Sequence, residues 1–343
     1  MITLKDIARL SGYSVTTVSR ALNGHSDVND DTKKHIKRIA EKYGYSPNIL
    51  AQGLVSKDSK TFGFITSNFG QTSPMENFTF PLFMKSIEEA NLLGYEIVMI
   101  HYNSQVHRTK TYQQLISERN LSGAIVQGFD KDDELCQQAL KSDIPTVFID
   151  IGLSNETTGY VVSDIAHAAD LGMRFLLQCS YQNLLFIYGS NESWVTGQWK
   201  KGVNQALEKY RDSFASVELM SSDYTMSTTQ MMVQDQYSKL KKDRLAVFAA
   251  SDVMAIGAMR TLQEKGLNIP EDVGILGYDG MTVAQYVSPA LTTIAQSPQK
   301  LGAQAIRLLI ELASHKTTAF PHSYHNVDVE LIVRDSTRLL SHD

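Results

Sequence analysis

The chain has 343 residues, 43% hydrophobic and 20% charged, enough apolar material for two or three cores without disulfide staples, which excludes a disordered or fibrous chain. Its net charge of −5 conceals a division: residues 1–60 carry a net +4 and the remainder −9, a basic head on an acidic body. No stretch has the length and apolarity of a membrane span, and the opening MITLKDIARLSG carries charge inside its apolar run, so the cytoplasm is the expected location.

The head reads as three short helices. Thr3, followed three residues on by Asp6, has the capping-box pattern ahead of a helix with Leu4, Ile7, Ala8 and Leu10 on its inner side, ended by Gly12. Ser14 is the N-cap of a second helix in which Val18, Ala21 and Leu22 recur at helical spacing. Asn29 caps a third, with Asp30 and Asp31 in its first turn, a stripe of Ile36, Ile39, Ala40 and Tyr43, and Gly44 closing it. Two helices across a tight glycine-containing turn with a third behind them describe a helix-turn-helix domain, whose second helix lays its N-terminal side chains in the major groove. The same pattern also serves protein-interaction modules.

From Thr61 onward apolar runs alternate with helical stretches. The strand candidates are TFGFIT, YEIVMI, GAIVQ, TVFID, YVVSD, LLFIY, SVELM, LAVFA, VGILGYD and LTTIA, separated by helices such as 80–93, 164–179, 196–210, 252–265 and 299–313. Such alternation predicts parallel sheets covered on both faces, and ten strands fit two lobes with a cleft between them better than one open sheet. The fold class is therefore an all-α helix-turn-helix head joined to an α/β bilobed body of two parallel sheets flanked by helices.

Chemistry that would make the body an enzyme is missing from the sequence. It has no GxxxxGK[ST], no GxGxxG after the first strand, no GxSxG and no HExxH. Cys136 and Cys179 stand alone in helical stretches and read as inert buried thiols, and the spacing of His322 and His325 has no further ligands to make a metal site. Neither a cofactor nor a metal is expected. Two rivals to a DNA reader with a sensor could use the same cleft: an α/β enzyme, and a sugar-binding protein that does not bind DNA.

The wording is more specific than the pattern. TLKDIARLSGYSVTTVSRALNG, followed by EKYGYSPNILAQGLVS, closely resembles the DNA-binding head and hinge of the LacI/GalR (lactose-repressor) family. FPLFMKSIEEANLLGYEI, SDVMAIGAMRTLQEKGLNIPEDVGILGYDG and LTTIAQSPQKLGAQAIRLLIEL extend the resemblance over the body, which implies a periplasmic-binding-protein-like fold. The domains this implies are a head at 1–46, a hinge at 47–58 and an effector-binding and dimerisation domain at 59–343. Lobe 1 would take 61–162 and 295–319, and lobe 2 would take 163–294 and 320–334. The chain would thus cross near Val162, Ile294 and Phe320.

On this resemblance Val15, Thr16 and Arg20 face base edges. Thr3, Ser14, Thr17, Ser19, Asn23, Tyr45 and Asn48 contact or position the backbone. The chemistry is consistent, since Val15 offers apolar contact to a thymine methyl and the Arg20 guanidinium a paired hydrogen bond to guanine. Ala51, Gln52 and Leu54 fall on the family's hinge helix, with Leu54 the wedge that opens a base step from the minor groove. A ten-residue helix containing Gly53 is marginal alone, so its folding would be coupled to DNA.

The implied effector contacts are Phe80, Gln127, Asp150, Tyr224, Ser251, Asp279 and Gln296, whose carboxylates, amides and aromatic faces suit a carbohydrate. Asp252 reads as the N-cap of the helix that follows it. Where many relatives carry an arginine three residues before a helical glycine, this chain has Trp199 ahead of Gly202, which replaces a bidentate donor by an indole with stacking area and one N–H. Trp194 and Lys200 lie close enough in sequence to share that role or to be surface residues. The resulting expectation is a homodimeric, carbohydrate-responsive transcriptional repressor that binds double-stranded operator DNA and no membrane. The C-terminus VDVELIVRDSTRLLSHD has no apolar heptad helix to join dimers into tetramers.

Overall fold

The computed structural model describes residues 2–45, 59–67, 78–103, 110–190, 193–240, 243–314 and 324–338. The hinge positions Asn48, Ala51, Gln52 and Leu54, and His322, lie outside the described residues. The chain divides into two compact units, Met1–Ser59 and Lys60–Asp343.

The first unit is a three-helix cluster: α1 (Leu4–Ser11), α2 (Val15–Leu22) and α3 (Asp30–Lys42). Thr3 and Asp6 form a reciprocal capping box on α1, and Ser14 accepts from the Thr17 N–H at the start of α2. Gly12 takes the left-handed conformation that lets the chain turn between them, with φ 74°. Ile7, Ala8, Val18, Ala21, Val28 and Ile36 close one small core. Leu10 and Tyr43, expected on the inner stripes, are instead exposed, at 41% and 46%. Three helices this short converge on too small a centre to bury a full apolar stripe from each.

The second unit holds two six-stranded sheets. In the first lobe the strands are β1 (Thr61–Thr66), β2 (Glu96–His101), β3 (Ala124–Gln127), β4 (Thr146–Ile149), β5 (Thr158–Ser163) and β11 (Tyr324–Val327), in spatial order 11-5-4-3-1-2 and all parallel. The second has β6 (Asn183–Tyr188), β7 (Ser216–Ser221), β8 (Leu245–Ala249), β9 (Val273–Asp279), β10 (Thr292–Ala295) and β12 (Glu330–Ile332), in order 12-10-9-8-6-7, with only β12 antiparallel.

Alternation along the strands shows why both faces are covered. Phe62, Phe64, Ile125, Val147 and Ile149 point to one side of the first sheet, against α4 (Thr79–Leu92) and α11 (Pro298–Ala313). Ile65, Ala124, Val126 and Phe148 point to the other, against α5 (Tyr112–Ser117) and α6 (Glu134–Leu140). The second lobe has a larger continuous core, flanked by α7 (Ile165–Gln178), α8 (Trp194–Tyr210), α9 (Met226–Leu240) and α10 (Asp252–Glu264). Helices α5 and α9 went unread in the sequence because they are short or weakly periodic.

The chain passes between lobes after β5, after β10 and a third time between β11 and β12. The third passage corrects the expectation of a crossing near Phe320. Residues 324–327 pair with β5 of the first lobe, so the return to the second lobe waits until after Val327. Cys136 lies buried in α6, and Cys179, also buried, is the residue that ends α7. Burial pushes their thiols up to about 12 and about 11, away from the reactive thiolate. Among the described residues no helix is long and apolar enough to cross a membrane.

Candidate functional site

Two surfaces carry the residues singled out by sequence. On the head, the first turn of α2 presents Val15, 41% exposed, and exposed Thr16, while Val18 on the same helix is fully buried. One turn of helix thus divides a core residue from outward-facing ones. The Ser14 and Thr17 hydroxyls bond each other at 2.8 Å, so both are held at the helix start. Arg20 is paired with Asp27, Nη2 to Oδ2 at 2.6 Å, and both side chains are about half exposed. Sequence reasoning had no reason to link these two, because the contact comes from the turn after α2. Asn23 ends α2, with its N–H bonded to the Ser19 and Ala21 carbonyls, and Tyr45 packs against the helix core.

In the body, the carboxyl ends of both sheets face a common cleft of about 460 Å³. Gln127, Asp150, Trp199, Tyr224, Ser251, Asp279 and Gln296 all line it. Gln127, at the end of β3, has its Oε1 held by the Thr66 and Thr79 hydroxyls at 2.9 and 3.1 Å. Gln296 follows β10 and makes the tightest junction: its Nε2 donates to Asp279 Oδ1 at 2.7 Å and its Oε1 accepts from Ser163 at 2.6 Å. Asp279 at the end of β9 is thereby tied to two of the three strands from which the chain changes lobe.

Backbone strain gathers here. Asp150, Tyr224 and Asp279 have φ of 57°, 67° and 118°, a region that non-glycine residues enter at a cost of about 1–3 kcal/mol each. The Tyr224 ring lies over Gly189, where any Cβ would overlap it, and its hydroxyl bonds Thr196 at 3.0 Å. The tight seat holds the ring against the cleft wall.

Electrostatics follow from burial. Desolvation pushes the Asp150 carboxyl up to about 7. Burial, and next the neighbouring Asp252 carboxylate, hold Asp279 well above its ordinary value. Asp252 was expected to cap α10, but Ser251 is the cap, accepting from the Met254 N–H at 3.2 Å. Asp252 is instead a fully buried brace whose two oxygens accept from Thr293 Oγ1 at 2.6 Å and the Met281 N–H at 2.7 Å. It ties β10 to the loop after β9 and so steadies the floor under Asp279.

Two expectations need correction. Phe80 is 50% exposed and does not line the cleft; Phe78, just before α4, does. The helix begins at Thr79, and its first turn carries Phe80 away from the sheet ends. Trp199 reaches the cleft but offers no open stacking face: it is fully buried, wedged among Phe186, Phe248 and Tyr278 with ring centroids 4.8–5.8 Å away. Its Nε1 is buried with no hydrogen-bond partner. Trp194 lies against Tyr160, and Lys200 sits 6.0 Å over the Tyr188 ring. Phe129, Ser193, Val195 and Tyr278 also line the cleft and were missed, although each lies within a few residues of a strand end or a helix start that sequence reasoning had located.

Comparison with known proteins agrees with this layout. Residues 3–48 match the model for bacterial regulatory proteins of the lacI family, and residues 173–337 match that of a periplasmic binding protein-like domain. The HTH-type transcriptional repressor PurR of Photobacterium profundum is 26% identical over 343 residues, covering 99% of this chain and 100% of that protein. The probable HTH-type transcriptional repressor ExuR of Bacillus subtilis is 28% identical over 342 residues, again covering 99% and 100%. Among solved structures, the lac repressor dimer bound to operator and the anti-inducer ONPF has a TM-score of 0.80 at 24% identity, covering 98% of this chain and 99% of that one. The transcriptional regulator CelR in complex with cellobiose has a TM-score of 0.71 at 24% identity, covering 98% and 100%. At such identity these two likenesses speak to the fold.

Proposed function

We propose that this chain, which belongs to the lacI family of bacterial regulatory proteins, is a DNA-binding transcriptional repressor whose grip on its operator is set by a small carbohydrate held between the lobes of its body. It is a regulator and not an enzyme, as are the repressors it resembles along its whole length. The observation that carries the effector reading is the cleft at the facing sheet ends. Its half-buried carboxyl and amide groups at Asp279 and Gln296 are fixed, with Ser163, by mutual bonds on two of the strands that lead between lobes. Such groups suit vicinal hydroxyls, and the Tyr224 ring suits the apolar face of a pyranose.

Val15, Thr16 and Arg20 are read as the base-facing residues. Thr3, Ser14, Thr17, Ser19, Asn23, Tyr45 and Asn48 are read as backbone contacts, and Ala51, Gln52 and Leu54 as the hinge contacts. The Arg20–Asp27 pair sharpens this, since Asp27 holds the guanidinium until a guanine edge competes for it. Two copies would read two half-sites of a near-palindromic operator in the cytoplasm, with the hinge segments in the central minor groove. Effector shifts the balance between lobe arrangements and thereby the separation of the two heads.

The test is a duplex-binding titration with the full-length protein against a library of palindromic sites. Sequence-specific binding should fall steeply with salt, change at least several-fold on adding a sugar, and be severely weakened in Leu54→Ala while sugar binding stays intact. Binding without sequence preference would sink the DNA-reading assignment, and unchanged operator affinity in Leu54→Ala would sink that residue's role.

A further inference from the structure

The cleft is one-sided in charge. Asp130, Asp133, Asp150 and Asp279 line it, and no Lys, Arg or His does among the described residues. A second observation is independent of those carboxyls: the Trp199 Nε1–H, fully buried at the wall of the same cavity, has no acceptor. A buried donor left without an acceptor is costly, and a ligand oxygen that displaces the side chains covering it can complete it.

We propose that the cleft admits effectors that are uncharged or carry an amine and rejects anionic ones, with the Trp199 indole N–H donating to a hydroxyl, ether or carbonyl oxygen of the ligand. This rests on the reading of the cleft as the effector site. An anion moved here sheds its hydration and meets no cation among the described lining residues to replace it, while the Asp130 and Asp133 carboxylates repel it. A neutral polyol loses far less, because its hydroxyls can both donate to and accept from carboxyl and amide groups already held in place by Gln296, Ser163 and Thr66. Burial raises the Asp150 carboxyl to about 7 and favours the protonated form of Asp279 as well, so these two can donate to such a ligand. An amine would supply the positive charge the cleft lacks and draw those protons off.

The experiment is titration calorimetry on the wild-type full-length protein with matched sets. One set comprises neutral mono- and disaccharides beside their 6-phosphates, uronates and 2-amino derivatives; the other comprises nucleosides beside their monophosphates. The expected result is that, in whichever set binds, the phosphate or uronate binds roughly a hundredfold more weakly than its neutral parent. Trp199→Phe, checked for an unchanged fold by circular dichroism, should weaken the neutral parent about fivefold to tenfold. A sugar phosphate or uronate binding as tightly as its parent would overturn the charge rule and leave the carbohydrate reading intact. Nucleosides binding in preference to their monophosphates, with no sugar bound, would uphold the charge rule and overturn the carbohydrate reading. Unchanged affinity in Trp199→Phe would remove the indole from its role as donor.

Discussion

The most informative side chain in the body is Asp150. A carboxyl taken out of water at the foot of a cleft, with no cation lining it among the described residues, favours its protonated form, and its value rises from 3.8 to about 7. Between those two values the folded protein keeps the proton while the unfolded chain releases it, so the unfolded chain binds fewer protons and stability falls as pH rises across the window. Asp150→Asn should therefore flatten the stability profile from pH 4 to 7 by up to about 1.4 kcal/mol per pH unit, and melt above the parent protein at pH 8. Thermal unfolding at half-unit pH steps reads this out. A variant with an unaltered slope would show that Asp150 is ionised throughout. Asp252 sits deeper still and burial raises its carboxyl to about 7 as well, but its removal differs in consequence, because its two oxygens are occupied by Thr293 and Met281 and its loss would leave both donors buried.

At the scale of elements, close approach of helices is set by glycines that periodicity does not flag. Gly302 in α11 is one. A Cβ there would lie 2.6 Å from the Leu82 carbonyl oxygen of α4 and 2.9 Å from Ser86 Oγ, so the two helices touch backbone to backbone on the first sheet. Gly302→Val should drive them apart, at about 1–3 kcal/mol by the usual cost of overpacking. Urea denaturation of the purified protein measures it; an unchanged midpoint would mean that α4 yields freely. Gly202, noticed in the sequence for its distance from Trp199, does comparable work where α8 meets α7, with a Cβ position 3.0 Å from the Ala166 Cα. The ion pair between Arg307 of α11 and Glu89 of α4, at 2.8 Å, lies at the edge of the first of these contacts and adds little to it, because the arginine is 56% exposed.

At the scale of the whole molecule, the proposed coupling of effector and operator through one equilibrium must be reciprocal. If a sugar changes operator affinity by some factor, saturating operator must change sugar affinity by the same factor. Calorimetric titration of the sugar into the free protein and into its operator complex should return equal ratios. Unequal ratios would mean that more than one ligand site is linked to DNA. Gln296 joins the floor of the cleft at Asp279 to Ser163, beside another passage between lobes.

Much of this was legible in the amino-acid order because it is local. The caps at Thr3, Ser14 and Asn29, the left-handed turn at Gly12, the alternation of strands and helices, and the division of Val15 from Val18 depend on neighbours within a turn or a strand. The strand ends that border the cleft were located by the same local signals. What only the tertiary structure decided is how side chains far apart in sequence share space. The Arg20–Asp27 pair, the bracing of Asp252, the return of 324–327 to the first sheet and the replacement of Phe80 by Phe78 at the cleft all depend on such placement. Trp199 shows the difference most clearly. Its position in the sequence marks it as a departure from the family pattern, but whether its ring faces ligand or core depends on Phe186, Phe248 and Tyr278, which come from three other segments. Their packing buries the ring and leaves its single N–H without a protein acceptor.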